Sequence, residues 1–246
     1  MLMLFRAALC KVLLVVLSCG AAAETDEMVC RNTPVSISVL QSDRTLAETA
    51  CRAVSEAVVL LESCGLVQIA PVQIEVGNGP LGDHENCLGE YHCESDDIYV
   101  LAPEAMSKML SDDNALRAIP VETLFSSIVA HELAHAFLYQ MRGGSGETIA
   151  EDEYVAYAMQ YLSLSEDDRL SLLQAIPGQG AYASRDMLND LFLTMSPVVF
   201  GSWVWRDFEK QEDGCGVIAD IVAGKIDFSI DATSGCLDPP ECTIKR

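Results

Sequence analysis

Residues 120–142 constrain the fold most, because apolar side chains surround almost the whole of a predicted helix there. A surface helix has one apolar stripe, whereas a helix that is apolar on nearly every side must be buried. Pro120 suits the start of this helix and Gly143 suits its end. The rest of the chain therefore has to pack around this segment.

The pentapeptide 131–135 within this helix has the sequence HELAH, an HExxH pattern. His131 and His135 are four residues apart, so both imidazoles leave the same face of the helix and can reach one Zn²⁺. Glu132 is offset by one residue, close to the metal without being a ligand. It can accept a proton from water that the metal activates and pass it to a leaving amine. We predict a zinc site here; the alternative is a pair of histidines packed in the core.

A catalytic zinc site needs a third protein ligand. The extended metzincin pattern would require Gly at position 138 and His at position 141, where the chain has Leu138 and Met141. The remaining histidines, His84 and His92, lie upstream in a cysteine-containing loop. Either can bind a metal, but contact with a substrate or a plain loop role is the favoured interpretation.

Carboxylates of the next predicted helix, about residues 148–164, are better candidates for the third ligand. Thr148 and Glu151 have the spacing of a capping box, which assigns Glu151 to the start of that helix. Glu153 is the first carboxylate within the helix body, on a face of small and buried character, where a metal would compensate its charge. Glu153 is therefore the preferred ligand, with Glu151 and Glu147 as alternatives.

The HELAH sequence followed by Glu153 on the next helix resembles the zincin metallopeptidases, specifically the gluzincin arrangement. Residues 153–160 and 87–93 are also similar to a family of exported bacterial HExxH proteins of unassigned function. The resemblance implies a substrate cleft lined by an edge strand, for which Asp97 to Leu101 is the candidate. Many gluzincins carry Asp four residues after the ligand Glu, where it orients a zinc-bound His. This chain has Tyr157 there, so the surroundings of the ligands must differ.

Three tyrosines, Tyr154, Tyr157 and Tyr161, follow one side of the same predicted helix. Tyr157 shares the face of Glu153, so its phenol is the candidate to stabilise a developing oxyanion. Packing in the core is the alternative interpretation of such a stripe.

Strand-like patterns come first in the chain and helical patterns follow. Alternation with period two predicts strands at 35–39, 72–76 and 97–101, and helical spacing predicts a helix at 46–61. We therefore expect an α+β, zincin-like fold, in which a small N-terminal sheet with helices precedes a mostly helical half that carries the HExxH helix. Residues 24–246 are expected to form a single domain, with an α/β part at 24–115 and a helical part at 116–246.

Residues 1–23 have the features of a secretory signal peptide. Arg6 and Lys11 supply positive charge, a short apolar run follows, and Ala21 to Ala23 provide a small-residue cleavage site. A competing possibility is a lipid anchor at Cys19, which follows a loose lipobox. No later segment is predicted to span a membrane, so the expected location is the periplasm or the extracellular space, with the lipid-anchored cell envelope as the alternative.

Eight of the 10 cysteines follow the predicted signal peptide, and an even number in an exported chain implies disulfides. Cys87 and Cys93 are the favoured pair, and Cys236 and Cys242 are a second candidate pair. None makes a C-x-x-C pattern, so cysteine ligands to zinc are not expected.

The charge of the chain limits its partners. It has 15 Lys and Arg against 37 Asp and Glu, a formal net charge of −22, which argues against binding nucleic acid or an anionic membrane surface. The expected partner is a peptide or protein substrate.

The predicted function is zinc-dependent hydrolysis, with a metallopeptidase foremost. The alternative is a catalytically silent or non-peptidase zincin-like envelope protein that binds a protein partner.

Overall fold

The computed structural model of the chain describes residues 26–79, 87–144 and 149–228, and in these residues a mixed sheet precedes a helical half. This confirms the α+β fold class. The strands are β1 (Glu27–Val29), β2 (Ile37–Leu40), β3 (Val72–Gly77), β4 (Gly89–His92) and β5 (Asp97–Leu101). The helices are α1 (Arg44–Ser63), α2 (Pro103–Met109), α3 (Val121–Met141), α4 (Ile149–Ser163), α5 (Glu166–Ala175), α6 (Asp190–Met195), α7 (Pro197–Lys210) and α8 (Gly214–Val222).

The described strands lie in the order β1-β2-β3-β5-β4. The central pairs β2–β3 and β3–β5 are parallel, while β1 and β4 pair antiparallel at the two edges. The predicted strand Asp97–Leu101 is therefore an inner strand, and its expected role as the edge strand is wrong. The edge next to it is β4, a four-residue strand inside a segment whose sequence predicted only a loop.

Helix α3 is buried along its length, as its all-round apolar sequence predicts. It packs against α1, α2 and α4 and against strands β4 and β5. The helix ends at Arg142, after which Gly143 adopts a positive φ of 65° that glycine tolerates without strain. Helix α4 packs against both α3 and α7, so the residues on its α3-facing side meet the HExxH pentapeptide.

Two disulfides join distant parts of the described chain, Cys30–Cys51 and Cys64–Cys215. Cys93 is also disulfide-bonded, but Cys87 has a free thiol, so the predicted Cys87–Cys93 pair is wrong. Disulfides persist mainly in exported proteins, which agrees with the expected export.

In the portion that the structure describes, no helix is both long and apolar enough to cross a membrane. The predicted signal peptide at 1–23, the candidate lipid anchor at Cys19 and the candidate pair Cys236–Cys242 lie outside the described residues.

Candidate metal centre

His131, His135 and Glu153 meet at one point between α3 and α4. The Nε2 atoms of the two histidines are 3.2 Å apart. Glu153 directs Oε2 to within 3.5 Å of the His131 Nε2 atom, and Oε1 to within 3.6 Å of the His135 Nε2 atom. The structure thus brings together the three residues that the sequence predicted as metal ligands.

These donor atoms are close enough together to share one zinc ion. Ligand atoms 2.0–2.1 Å from a tetrahedral ion lie ~3.3 Å from one another. The two Nε2 atoms are 3.2 Å apart, each lies 3.5–3.6 Å from a different oxygen of Glu153, and one donor atom from each residue lies within 4.8 Å of the other two. Two imidazoles and one carboxylate are also a donor set that zinc prefers in catalytic sites. His131 is buried, whereas His135 and Glu153 are partly exposed, so the cluster is open to solvent on one side.

The alternative ligands do not join this cluster. Glu151 is buried elsewhere on α4, where its Oε1 atom accepts a hydrogen bond from the backbone N–H of Phe228. His92 lies exposed on β4. Glu147, His84 and the predicted N-cap Thr148 lie outside the described residues. Of the candidates that the structure describes, Glu153 is thus the carboxylate that faces both histidines.

Glu132 lies beside the cluster in a dry environment, with 5% of its surface exposed. Burial raises the pKa of its carboxyl group to about 7; the charge of His131 opposes this rise, and the charges of Glu153 and Glu90 add to it. Within the described chain, no group donates a hydrogen bond to this carboxylate. A carboxyl group with a pKa near neutrality is suited to take up and release a proton at physiological pH.

Strand β4 passes directly over Glu132 because residue 89 is glycine. A Cβ atom on Gly89 would lie 2.6 Å from the Glu132 Oε1 atom and 2.8 Å from the Cγ2 atom of Ile128. Any larger residue would push the strand away from α3 or displace the carboxylate. The close approach places the backbone of the edge strand next to the Glu132 carboxyl group.

Of the three candidate tyrosines, Tyr157 is the one against the metal cluster. Its ring meets that of His131 edge-on, with the centroids 4.8 Å apart. A Cβ atom on Gly201 of α7 would lie 2.5 Å from the ring of Tyr157, so this glycine makes room for it. Tyr154 instead donates a hydrogen bond to Asp207, and Tyr161 stacks on Trp205.

The phenol of Tyr157 remains protonated at neutral pH, because burial raises its pKa well above the usual value. The negative charges of Glu153 and Glu132 and the nearby Tyr161 and Cys87 raise it further. Tyr157 is therefore a hydrogen-bond donor at the edge of the site. The free thiol of Cys87 also lies near the cluster, and burial together with Glu90, Glu132 and Glu153 raises its pKa.

The three ionisable side chains of the cluster strongly perturb one another's pKa values. Burial lowers the pKa of His135 to about 4, which favours the neutral, metal-binding form of the ring. For Glu153, burial raises the pKa, but the hydrogen bond to His131 and the charges of both histidines outweigh this and lower it overall. For His131, burial lowers the pKa, but the hydrogen bond to Glu153 and the charge of Glu153 outweigh this effect. The pKa of His131 is therefore raised overall.

Sequence reasoning missed three residues that shape the site. Gln160 lies on the same face of α4 as Glu153, and its Oε1 atom lies 3.1 Å from the Nδ1 atom of His131. Its position two turns after Glu153 is the signal that could have identified it. Gly89 and Cys87 belong to a segment that the sequence predicted to be a disulfide-tied loop, so nothing indicated that they lie beside Glu132.

Comparison with known proteins identifies a family but no function. A family model described as "Family of unknown function (DUF6639)" matches residues 37–231, most of the chain, so the chain belongs to this family. No curated protein and no solved structure matches.

Proposed function

We propose that this member of DUF6639 is an exported zinc-dependent hydrolase, a metallopeptidase with a zincin-like site. The observation that carries the proposal is the convergence of His131, His135 and Glu153 beside the buried carboxyl group of Glu132. The two Nε2 atoms are 3.2 Å apart, and the two oxygens of Glu153 lie 3.5 Å and 3.6 Å from them, one from each. These residues would hold the ion. When bound, a zinc ion supplies Lewis acidity that polarises a carbonyl group and lowers the pKa of water to about 7.

Glu132 has the position and acidity of the general base. Its carboxylate accepts a proton from the attacking water and delivers it to the leaving amine, two steps that favour a pKa near the working pH. Tyr157, whose ring meets that of His131 edge-on, donates a hydrogen bond to the oxyanion that develops on the substrate.

The edge strand β4 supports a peptide as the substrate. It pairs with β5 along one side, no other described strand pairs with its second side, and an extended peptide would pair there through backbone hydrogen bonds. Because Gly89 brings this strand against Glu132, a peptide aligned on β4 would pass the proton-accepting carboxylate. Recognition through the backbone suits a peptidase that acts on unfolded or flexible segments.

Glu132→Gln tests the proposal, because it removes the base and leaves the three ligands in place. We expect the variant to bind zinc as the wild type does and to lose hydrolysis of an unstructured protein substrate by at least 10²-fold, the lower end of the usual contribution of a general base. The measurements are zinc content and the rate of appearance of new amino termini. Glu122→Gln, an exposed acid on the same helix, is the matched control and should retain activity.

Two outcomes would redirect the proposal. Hydrolysis that persists in Glu132→Gln would contradict the assigned mechanism. A wild-type protein that binds zinc but cleaves neither protein nor cell-wall substrates would support the alternative, a catalytically silent envelope protein that binds a partner.

A further inference from the structure

We infer that Gln160 is a positioning residue for the metal centre: its side-chain amide, held by Ser127, determines which nitrogen of His131 carries the proton. The inference rests on the proposed metal site, since its consequence is that the Nε2 lone pair of His131 faces the position of the ion. In this chain the hydrogen-bond partner of the ligand His131 is then the neutral amide of Gln160, where many gluzincins use the carboxylate of an Asp.

The orientation of the Gln160 amide follows from the hydrogen bonds of Ser127. The Ser127 hydroxyl donates its single proton to the backbone carbonyl of Leu124, at 2.8 Å. It can therefore only accept from Gln160, whose Nε2 atom lies 3.4 Å away. The amide nitrogen of Gln160 points to Ser127, so the amide oxygen must point the other way.

The amide oxygen then sets the protonation of His131. Gln160 Oε1 lies 3.1 Å from Nδ1 of His131, and a carbonyl oxygen can only accept a hydrogen bond. Nδ1 must carry a proton to donate it. In the neutral ring the other nitrogen, Nε2, then carries no proton. This atom lies 3.2 Å from the His135 Nε2 atom and 3.5 Å from Glu153, so the hydrogen bond between His131 and Glu153 belongs to the protonated ring.

Burial makes the arrangement rigid. Ser127 is 1% exposed and Gln160 is 4% exposed, so water cannot readily replace either partner. Ser127 lies one turn before His131 on α3, and Gln160 lies two turns after Glu153 on α4, so the interaction also ties the two ligand-bearing helices together. Loss of a buried partner of this kind leaves an unsatisfied donor on the ligand ring.

A neutral partner also limits the negative charge of the site. Glu132 and Glu153 already place two carboxyl groups in a buried region. A carboxylate at position 160 would add a third and would increase the basicity of His131. With an amide, His131 is oriented without this added charge, which leaves a bound ion more electrophilic.

Gln160→Met tests the inference, because methionine has a similar length and apolar shape but no carbonyl acceptor. In the metal-free wild type, ¹⁵N spectra recorded where the ring is neutral should show the His131 proton on Nδ1; in Gln160→Met this preference should be lost. Zinc affinity should fall about 10–100-fold, the usual effect of removing such a partner. Gln160→Glu restores an acceptor and should recover most of the affinity.

Two control variants distinguish a loss of His131 positioning from a general loss of folding. Gln174→Met, at an exposed site on α5, should keep both the tautomer and the zinc affinity of the wild type. Ser127→Ala leaves Gln160 in place but frees its amide to turn over, and should weaken zinc binding by a smaller factor. This variant also provides the test if Gln160→Met does not fold.

A proton on Nε2 of the neutral His131 ring in the metal-free wild type, or unchanged zinc affinity in both Gln160→Met and Ser127→Ala, would overturn the inference. A wild type with the expected Nδ1 proton that binds no zinc would instead overturn the proposed metal site, and with it the role of Gln160 in metal binding. The tautomer and the metal affinity are separate readouts, so the two failures are distinguishable.

Discussion

Glu132 combines a proposed catalytic role with an unfavourable environment. Its carboxyl group is buried, and the described residues provide no hydrogen-bond donor to it. Ionising a buried carboxyl group without a hydrogen-bond donor costs free energy, and for this reason the pKa of Glu132 is raised. Groups of this kind occur at functional sites because a bound ion or substrate supplies the missing interaction.

We therefore expect Glu132→Gln to stabilise the metal-free protein, increasingly as the pH rises. The folded-state pKa of about 7 exceeds the ordinary value of 4.5, so the folded wild type retains a proton that the unfolded chain releases. The free energy of unfolding of the wild type therefore falls between about pH 4.5 and 7 and stays lower above this range. The relative gain of the variant at pH 8 should approach, at most, about 3 kcal/mol.

Urea unfolding at pH 4, 6 and 8, with the metal removed by a chelator, measures this difference. Glu122→Gln, exposed on the same helix, should show no gain that grows with pH. If the difference in free energy of unfolding between Glu132→Gln and the wild type is the same at all three pH values, the pKa of Glu132 is not raised by burial.

At the residue scale, the sequence predicts those site residues whose placement depends on spacing within one helix. His131, His135 and Glu153 follow from helical spacing and from the position of Glu153 within its helix, all of which are local features. The roles of Gln160 and Gly89 depend on how closely α4 and β4 approach α3. That distance is a property of tertiary packing, which a single sequence does not encode in any short pattern.

Helix α4, which carries Glu153, is held in place by a buried polar network. Tyr154 donates a hydrogen bond to Asp207 of α7, at 2.9 Å. Tyr182 and Arg185 also donate to Asp207, so its charge is fully compensated. The network joins α4 to α7 through Tyr154, the residue next to Glu153.

Tyr154→Phe should lower the free energy of unfolding by about 1–2 kcal/mol, since it leaves a charged acceptor with one donor fewer. Tyr161→Phe is the matched control: Tyr161 is buried on the same helix, stacks on Trp205, and has no hydrogen-bond partner for its hydroxyl group in the described structure. Chemical denaturation of both variants gives the comparison. Equal losses in the two variants would argue against a stabilising role for the Asp207 network.

At the scale of elements, the segments with a clear period were predictable and those without one were not. The predicted helix 46–61 corresponds to α1, and the predicted helices about 120–142 and 148–164 correspond to α3 and α4. Strands β1 and β4, with the sequences EMV and GEYH, show no alternation of apolar and polar residues, and they are fixed by pairing with β2 and β5. The assignment of the edge strand failed for this reason.

For the whole molecule, the disulfide Cys64–Cys215 links the end of α1 to the start of α8 across 151 residues. Cys30–Cys51 spans 21 residues and joins only the first part of the chain. Cross-links over longer loops restrict the unfolded chain more. The long link therefore holds the sheet-containing part and the C-terminal helices together.

Removing the long link by Cys64→Ala with Cys215→Ala should destabilise the protein by about 5 kcal/mol in the chain-entropy treatment, against about 3 kcal/mol for Cys30→Ala with Cys51→Ala. Thermal unfolding of the two double variants under oxidising conditions tests the order. A larger loss from the short link would show that native packing, rather than restriction of the unfolded chain, governs the contribution.

Zinc content is the most direct measurement of the proposed metal centre. The experiment compares the wild type with Glu153→Gln and Glu151→Gln, purified without chelators, incubated with Zn²⁺ and desalted before mass spectrometry. We predict a single zinc ion per chain in the wild type and in Glu151→Gln, and its loss in Glu153→Gln, because Glu153 lies 3.5 Å and 3.6 Å from the two histidine Nε2 atoms whereas Glu151 contacts Phe228. A wild type without zinc after this treatment would contradict the account and leave His131 and His135 as packed residues of a buried helix.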